Sequence, residues 1–146
     1  MSFSYFSLAP AIHSALETLE FEKPTDIQSQ TIPLALTGKD IIATAQTGTG
    51  KTAAFMLPIL NNLLRDDIQL GQVRALVLAP TRELAQQVAE NTQQYAANTE
   101  LTDEYFGAIL QYPNNEGNAV NHKEFCEMAA KYDARVAVAL VVLSPL

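Results

Sequence analysis

The chain has 146 residues, with 9 basic and 16 acidic side chains, a formal net charge of −7 and 48% hydrophobic residues. This composition excludes a disordered chain, and the length predicts a single α/β domain over residues 1–146. The single cysteine, Cys126, excludes a disulfide framework and a cysteine-built zinc site. The acidic balance argues against tight, free-standing nucleic-acid binding. No apolar run is long enough to span a membrane and the N-terminus lacks a basic signal region, so we expect a cytoplasmic protein with no membrane partner.

Two helices are predicted before residue 40. The first follows Pro10, and its spacing places four apolar side chains on one face: Ile12, Ala15, Leu16 and Leu19. The second begins at Thr25, a good N-cap residue, with Gln28 at capping-box spacing. We expect Pro33 to kink this helix and Gly38 to end it.

Strands alternate with helices from residue 40 onward. The predicted strands span residues 40–44, 74–78, 105–110 and 135–143. The predicted helices span 51–64, 83–97 and a segment after Asn121. Because this alternation is typical of βαβ units, we predict a three-layer α/β fold with a mainly parallel sheet covered on both faces.

A glycine-rich loop lies between the first predicted strand and its helix. Its eight residues are Ala45, Gln46, Thr47, Gly48, Thr49, Gly50, Lys51 and Thr52, and they fit the Walker A spacing except that Ala45 replaces the leading glycine. The loop amides and the helix N-terminus attract phosphate, and the two glycines allow positive φ. Lys51 is expected to reach the β- and γ-phosphates, and the Thr52 hydroxyl to bind Mg²⁺.

Two shorter patterns each allow two interpretations. Thr25 and Gln28 form a capping box, but a glutamine amide also suits the N6/N7 edge of adenine. Thr81 can cap the helix that follows it, or Thr81 and Arg82 can bind a nucleic-acid phosphate. On spacing alone, the cap is the simpler explanation in both cases.

Taken together, three sets of residues resemble motifs of the DEAD-box RNA helicases. Phe3 with the run 21–28 resembles the Q motif, the loop 45–52 resembles motif I, and residues 80–85 resemble motif Ia, over about residues 1–100. The resemblance implies a RecA-like, P-loop domain that binds ATP or ADP with Mg²⁺. It also implies that Lys23 and Thr25 belong to the nucleotide-binding segment.

The resemblance further implies roles for individual side chains. Phe3 or Phe21 would pack against adenine, and Gln28 would select it. Thr81 and Arg82 would contact the RNA backbone. The sequence departs from the family pattern at Glu20, where the family usually has glycine.

The larger departure begins near Leu101. The chain lacks the Gly-Gly, Thr-Pro-Gly-Arg and Asp-Glu-Ala-Asp elements that would follow, so we assign no catalytic residue. Residues 103–146 instead resemble glycine dehydrogenase (decarboxylating), a pyridoxal phosphate enzyme. The stretch 140–142 carries no acid to pair with that cofactor, so we expect no pyridoxal phosphate chemistry. We therefore interpret residues 1–100 as a helicase-like segment and 101–146 as a foreign β-α-β segment that completes the sheet.

These observations predict an adenine-nucleotide-binding module that is truncated before the acidic motif and shows little or no turnover. One alternative is an RNA helicase or ATPase fragment with residual RNA-stimulated hydrolysis. The other is a folded chimera without activity. The charge predicts weak RNA binding, and an unpaired sheet edge would allow a homodimer.

Overall fold

The structure, a computed structural model, describes residues 2–65 and 74–101 and the backbone of two short strands, 109–111 and 135–138. Proximity of Cα atoms divides the chain into two units. The first comprises Met1–Ile68 and Glu90–Leu101, and the second comprises Gln69–Ala89 and Thr102–Leu146.

The first unit is helical where it is described. A 3-10 turn at Phe3–Tyr5 precedes α1 (Pro10–Thr18), α2 (Asp26–Leu36) and α3 (Lys51–Arg65). These bounds confirm the three predicted helices. Proline stands at the start of α1, where its missing N–H is not needed. α2 continues through Pro33 to its end.

The core of the first unit consists of side chains from these helices. Its largest fully buried apolar residues are Ile12, Leu16, Ile32, Leu57 and Leu60. α2 packs against α3. Asn61 is also buried, and its Oδ1 accepts a hydrogen bond of 2.7 Å from the Ala9 amide, which ties the entry of α1 to α3.

α1 and α2 end in the same hydrogen-bonded motif. After α1, the Phe21 amide donates to the Leu16 carbonyl and the Glu20 amide to the Glu17 carbonyl. After α2, the Lys39 amide donates to the Leu34 carbonyl and the Gly38 amide to the Ala35 carbonyl. This pattern is a Schellman motif, which requires a left-handed residue after the C-cap. Glu20 (φ 58°) and Gly38 (φ 78°) fill that position.

The predicted strand at 40–44 is wrong. No strand is assigned between residues 39 and 46, and the Ile42 side chain is fully exposed (100%). The apolar run Ile41-Ile42-Ala43 has β propensity, but a parallel strand also needs a hydrogen-bonding partner and covered faces. None of the described strands pairs with this segment.

The second unit contains a small parallel sheet. Its strands are β1 (Ala75–Ala79), β2 (Ile109–Gln111) and β3 (Arg135–Val138), in the order β2-β1-β3. Both pairs are parallel, with Val77 opposite Ile109 and Leu76 opposite Val136. All five residues of β1 are buried, as expected for a central strand of a parallel sheet.

These strands confirm the predicted parallel pairing within the described residues. The expected helix after Asn121, and the remaining parts of the predicted strands 105–110 and 135–143, lie outside those residues.

α4 (Arg82–Ala96) begins in the second unit and ends in the first. Its buried residues are Val88, Thr92, Tyr95 and Ala96. This confirms the helix predicted at 83–97.

Candidate phosphate-binding site

The glycine-rich loop enters α3 through two residues with positive φ. Gly48 has φ 81° and Gly50 has φ 82°, the region in which glycine is favoured. A Cβ atom at Gly48 would meet no atom within 4 Å, so the backbone there borders open space. A Cβ atom at Gly50 would collide with the side-chain nitrogen of Gln28. The first glycine therefore leaves room for a ligand, and the second allows a close approach within the protein.

α3 starts at Lys51, directly after the loop. The first intrahelical bond at this end joins the Ala54 amide to the Gly50 carbonyl at 3.2 Å. The amides before Ala54 have no intrahelical acceptor, and the helix dipole adds partial positive charge to them. An anion such as phosphate fits these donors.

The Lys51 ammonium folds back onto the loop. It donates to the carbonyl of Ala45 and, at 2.8 Å, to that of Gln46. The Thr49 hydroxyl donates to the same Gln46 carbonyl at 2.7 Å. An ammonium has three donors, so one remains for a phosphate oxygen. Thr52 follows Lys51 in the first turn of α3 and is half-buried.

The capping box of α2 is present in full. The Thr25 amide donates to Gln28 Oε1 at 2.9 Å, and the Gln28 amide approaches Thr25 Oγ1 at 3.5 Å. The same side chains reach the glycine-rich loop. Thr25 Oγ1 donates to the Thr49 carbonyl at 2.8 Å, and Gln28 Nε2 donates to the Gly50 carbonyl at 3.1 Å. The structure thus brings two separate sequence motifs into one site.

Aromatic residues form a chain of edge-to-face contacts in the same unit. Phe3 contacts Phe6 and Phe21, with 5.7 Å between ring centroids in each pair. Phe21 also contacts Tyr95 at 5.9 Å. Phe3 is only 3% exposed, whereas Phe21 is half-buried. The sequence offered no signal for Tyr95 beyond its place on the apolar face of α4.

Tyr95 is buried, whereas Lys23 is exposed to solvent. Burial raises the pKa of Tyr95, because the phenolate is poorly solvated there. Lys23 lies two residues after Phe21 and is exposed.

The second unit holds the other predicted contact residues. Thr81 Oγ1 accepts a hydrogen bond of 3.2 Å from the Leu84 amide, which confirms that Thr81 caps α4. Thr81 and Arg82 are both exposed at this end of the helix. A capping hydroxyl still has its own hydrogen to donate, so the cap leaves room for a phosphate contact.

Two other kinds of site are absent from the part of the chain that the structure describes. Residues 2–65 and 74–101 contain no cluster of three or more histidine, cysteine, aspartate or glutamate side chains that could hold a metal ion. Over the same residues, no helix combines the length and the apolar character that a membrane span requires.

Sequence comparison relates the chain to one family. The profile of the family described as "DEAD/DEAH box helicase" matches residues 25–131. The ATP-dependent RNA helicase dbp9 of Schizosaccharomyces pombe is 57% identical over 91 residues, which are 60% of this chain and 15% of that protein. The ATP-dependent RNA helicase DRS1 of Saccharomyces cerevisiae is 52% identical over 95 residues, 65% of this chain and 13% of that protein. The chain thus spans less than a fifth of these relatives.

Comparison with solved structures also relates the chain to RNA helicases. A structure of S. cerevisiae Dbp5 bound to RNA and ADP BeF3 has a TM-score of 0.73 and 25% identity, covering 98% of this chain and 47% of that one. The RNA helicase Prp28 from Chaetomium thermophilum bound to ADP has a TM-score of 0.61 and 30% identity, covering 90% and 30%. The fold is therefore the predicted α/β P-loop fold of RecA-like helicase domains.

Proposed function

Because the chain belongs to the DEAD/DEAH box helicase family, we propose that it binds ATP and ADP, together with Mg²⁺, at the loop 45–52. The observation that carries this proposal is the hydrogen bonding between the glycine-rich loop and the capping box of α2. The Gly50 and Thr49 carbonyls bond to Gln28 and Thr25, directly before the first turn of α3. Two motifs that are distant in the sequence therefore form one site.

The phosphates have a set of donors at this site. The amides of the first turn of α3 supply neutral donors, and Lys51 supplies a charged one. The Thr52 hydroxyl lies in the same turn and would complete the coordination of an Mg²⁺ ion held by the phosphate oxygens. A bound Mg²⁺ would neutralise phosphate charge, which matters in a chain with a net charge of −7.

Phe21 is the better candidate for packing against the adenine ring. Its ring is half-buried and keeps accessible surface, whereas Phe3 is enclosed between Phe6 and Phe21. Lys23 is exposed in the same segment and can approach a nucleotide phosphate or ribose. In this assignment Phe3 supports Phe21 from behind.

Nucleic-acid binding and self-association are further parts of the proposal. Thr81 and Arg82 would contact the RNA backbone at the N-terminus of α4. Because the chain carries a net charge of −7, this binding would be weak and would weaken further with salt. An edge strand of the sheet without a partner would allow a homodimer.

We propose that the 146-residue chain hydrolyses ATP little or not at all. Its sequence has no Asp-Glu-Ala-Asp element to hold Mg²⁺ and polarise a water molecule. RNA-stimulated release of phosphate from the same protein would support the alternative, a fragment with residual helicase-type activity.

A chimeric origin for residues 103–146 belongs to the same proposal. The family profile extends to residue 131, so this part of the proposal rests on the sequence pattern of residues 103–146 alone. A foreign segment that completes the sheet would give a well-dispersed amide NMR spectrum. A molten-globule spectrum would contradict it.

Calorimetric titration with ADP, ATP and GTP in the presence of Mg²⁺ tests nucleotide binding. We expect adenine nucleotides to bind more tightly than GTP, and Lys51→Ala to remove most of the heat. Lys39→Ala is the matched control, because Lys39 is exposed and lies before the loop. The proposal is wrong if the unsubstituted chain binds neither ADP nor ATP. It is also wrong if Lys51→Ala binds these nucleotides as tightly as Lys39→Ala does.

A further inference from the structure

Residues 2–8 form a short strap that packs on the first unit and ends where α1 begins. Their regular structure is the 3-10 turn Phe3–Tyr5. The strap buries three apolar side chains, those of Phe3, Phe6 and Leu8, which are 3%, 5% and 7% exposed. The residues between these three are exposed. One side of the strap therefore faces the core, and the other faces solvent.

Two helix side chains hold the backbone of the strap. His13 Nε2, on α1, donates to the Phe6 carbonyl at 3.2 Å, because a carbonyl oxygen can only accept. Asn61 Oδ1, on α3, accepts at 2.7 Å from the amide of Ala9, the residue that joins the strap to α1. The Phe6 amide bonds within the strap, to the Phe3 carbonyl at 3.0 Å. The strap is thus docked by side chains and is not part of a helix or sheet that it shares with the core.

The side-chain amide of Asn61 is satisfied at only one of its two polar atoms. Asn61 is 2% exposed, and its Nδ2 group is buried without a hydrogen-bond partner among the described residues. A buried donor without an acceptor disfavours the conformation that buries it. Because Oδ1 and Nδ2 belong to one amide group, departure of the Ala9 amide from Oδ1 admits water to that group. The closed strap therefore carries an unfavourable contribution that opening removes.

The start of α1 does not depend on the strap. Pro10 is the first residue of α1, and proline restricts the residue before it to extended backbone. Ala9 has φ −60° and ψ 145°, as this restriction requires. The Ala9 carbonyl accepts from the Ile12 and His13 amides, inside α1. Rotation on the N-terminal side of Ala9 can therefore lift the strap and leave the helix intact.

We propose that the strap opens as a unit while α1 to α3 stay folded, and that the hydrogen bond between Asn61 and Ala9 sets its opening equilibrium. Opening removes Phe3 from the ring of Phe21 and leaves the contact of Phe21 with Tyr95 in place. This inference does not rest on nucleotide binding, so it holds or fails independently of the proposed function.

Amide hydrogen exchange under native conditions tests whether the strap opens separately. The Phe6 amide reports on the strap, and the Leu57 amide, in the buried part of α3, reports on the core. After correction for intrinsic rates, we expect Phe6 to exchange at least about tenfold faster than Leu57, with little effect of low urea, since local opening exposes little surface. Equal protection and equal urea dependence of the two amides would overturn the inference, because the strap would then open only when the unit unfolds.

Ala9→Pro tests the role of the hydrogen bond in the opening equilibrium. Proline fits the φ of Ala9 and lacks the N–H from which Asn61 accepts. Ala9→Ser, which retains this N–H, is the matched control. We expect Phe6 to exchange about five- to tenfold faster in Ala9→Pro than in Ala9→Ser, as for one lost hydrogen bond. Equal exchange of Phe6 in the two variants would contradict the proposal.

The same two substitutions in an Asn61→Leu background identify the acceptor. Leucine has no acceptor atom, so in this background the Ala9 N–H has no bond to lose. We therefore expect Phe6 to exchange no faster in Ala9→Pro than in Ala9→Ser when residue 61 is leucine. An equally large difference in both backgrounds would show that Asn61 does not set the opening equilibrium.

Discussion

Glu20 adopts a left-handed backbone conformation, which is unfavourable for any residue with a Cβ atom. Its φ is 58°, and it stands at the left-handed position of the Schellman motif after α1. Gly38 fills the equivalent position after α2 with φ 78°. The left-handed region costs a non-glycine residue about 1–2 kcal/mol. The chain thus has the favoured residue at Gly38 and an unfavoured one at Glu20.

The two Schellman motifs predict that adding a glycine at one and removing the glycine from the other have opposite effects on stability. Glu20→Gly should stabilise the protein by about 0.5–1 kcal/mol, because relief of strain exceeds the extra entropy of glycine in the unfolded chain. Gly38→Ala should destabilise it by about 1 kcal/mol. A Cβ atom there would meet no atom within 4 Å, so the cost comes only from placing alanine in the left-handed conformation. Urea unfolding measures both.

Glu22→Gln is the control for the charge that Glu20→Gly removes, because Glu22 is also exposed. It should leave stability nearly unchanged. A destabilising Glu20→Gly, or an equal gain from Glu22→Gln, would contradict the strain at Glu20.

At the scale of elements, local signals predicted the helices and failed for one strand. α2 was predictable because Thr25 and Gln28 mark its start within a single turn and Gly38 its end. The segment 40–44 carries an equally strong apolar run, but a strand exists only if another strand pairs with it. The sequence does not encode that partner locally, and the exposed Ile42 shows the consequence.

The site was predictable in its parts and not in its assembly. Spacing identified the loop 45–52 and the capping box separately. The bonds from Thr25 and Gln28 to the loop depend on how α2 packs against α3, which involves residues far apart in the chain. From spacing alone, helix capping and ligand binding were alternative roles for Gln28. In the structure its side chain caps α2 and also bonds to the glycine-rich loop.

Truncating two isoleucines tests the placement of residues 40–44. Ile42→Ala should change the free energy of unfolding by no more than about 0.5 kcal/mol, as for an exposed side chain. Ile32→Ala, the matched substitution in the core of the first unit, should cost about 2–5 kcal/mol. Chemical denaturation measures both changes. A loss at Ile42 close to that at Ile32 would mean that this segment is a buried strand after all.

At the scale of the whole molecule, the buried Tyr95 gives global stability a dependence on alkaline pH. Burial raises the pKa of Tyr95 above that of the unfolded chain, which is about 10 for an ordinary tyrosine. A group whose pKa is raised by folding stabilises the native state fully below the unfolded pKa. Above that value the unfolded chain loses its proton first, so stability falls as the pH rises toward the folded pKa.

Replacing the hydroxyl isolates this effect from other groups that titrate at high pH. Tyr95→Phe keeps a ring for the contact with Phe21 and removes the ionisable group. Above about pH 10, its unfolding free energy should fall less steeply than that of the unsubstituted chain, by at most about 1.4 kcal/mol per pH unit, the limit for one proton. Tyr5→Phe is the control, because it removes a tyrosine hydroxyl from a side chain that is 76% exposed. If the unfolding free energies of Tyr95→Phe and Tyr5→Phe fall equally steeply with pH, the Tyr95 hydroxyl is accessible to solvent. The row of aromatic contacts from Phe3 to Tyr95 would then end at a ring whose hydroxyl is hydrated.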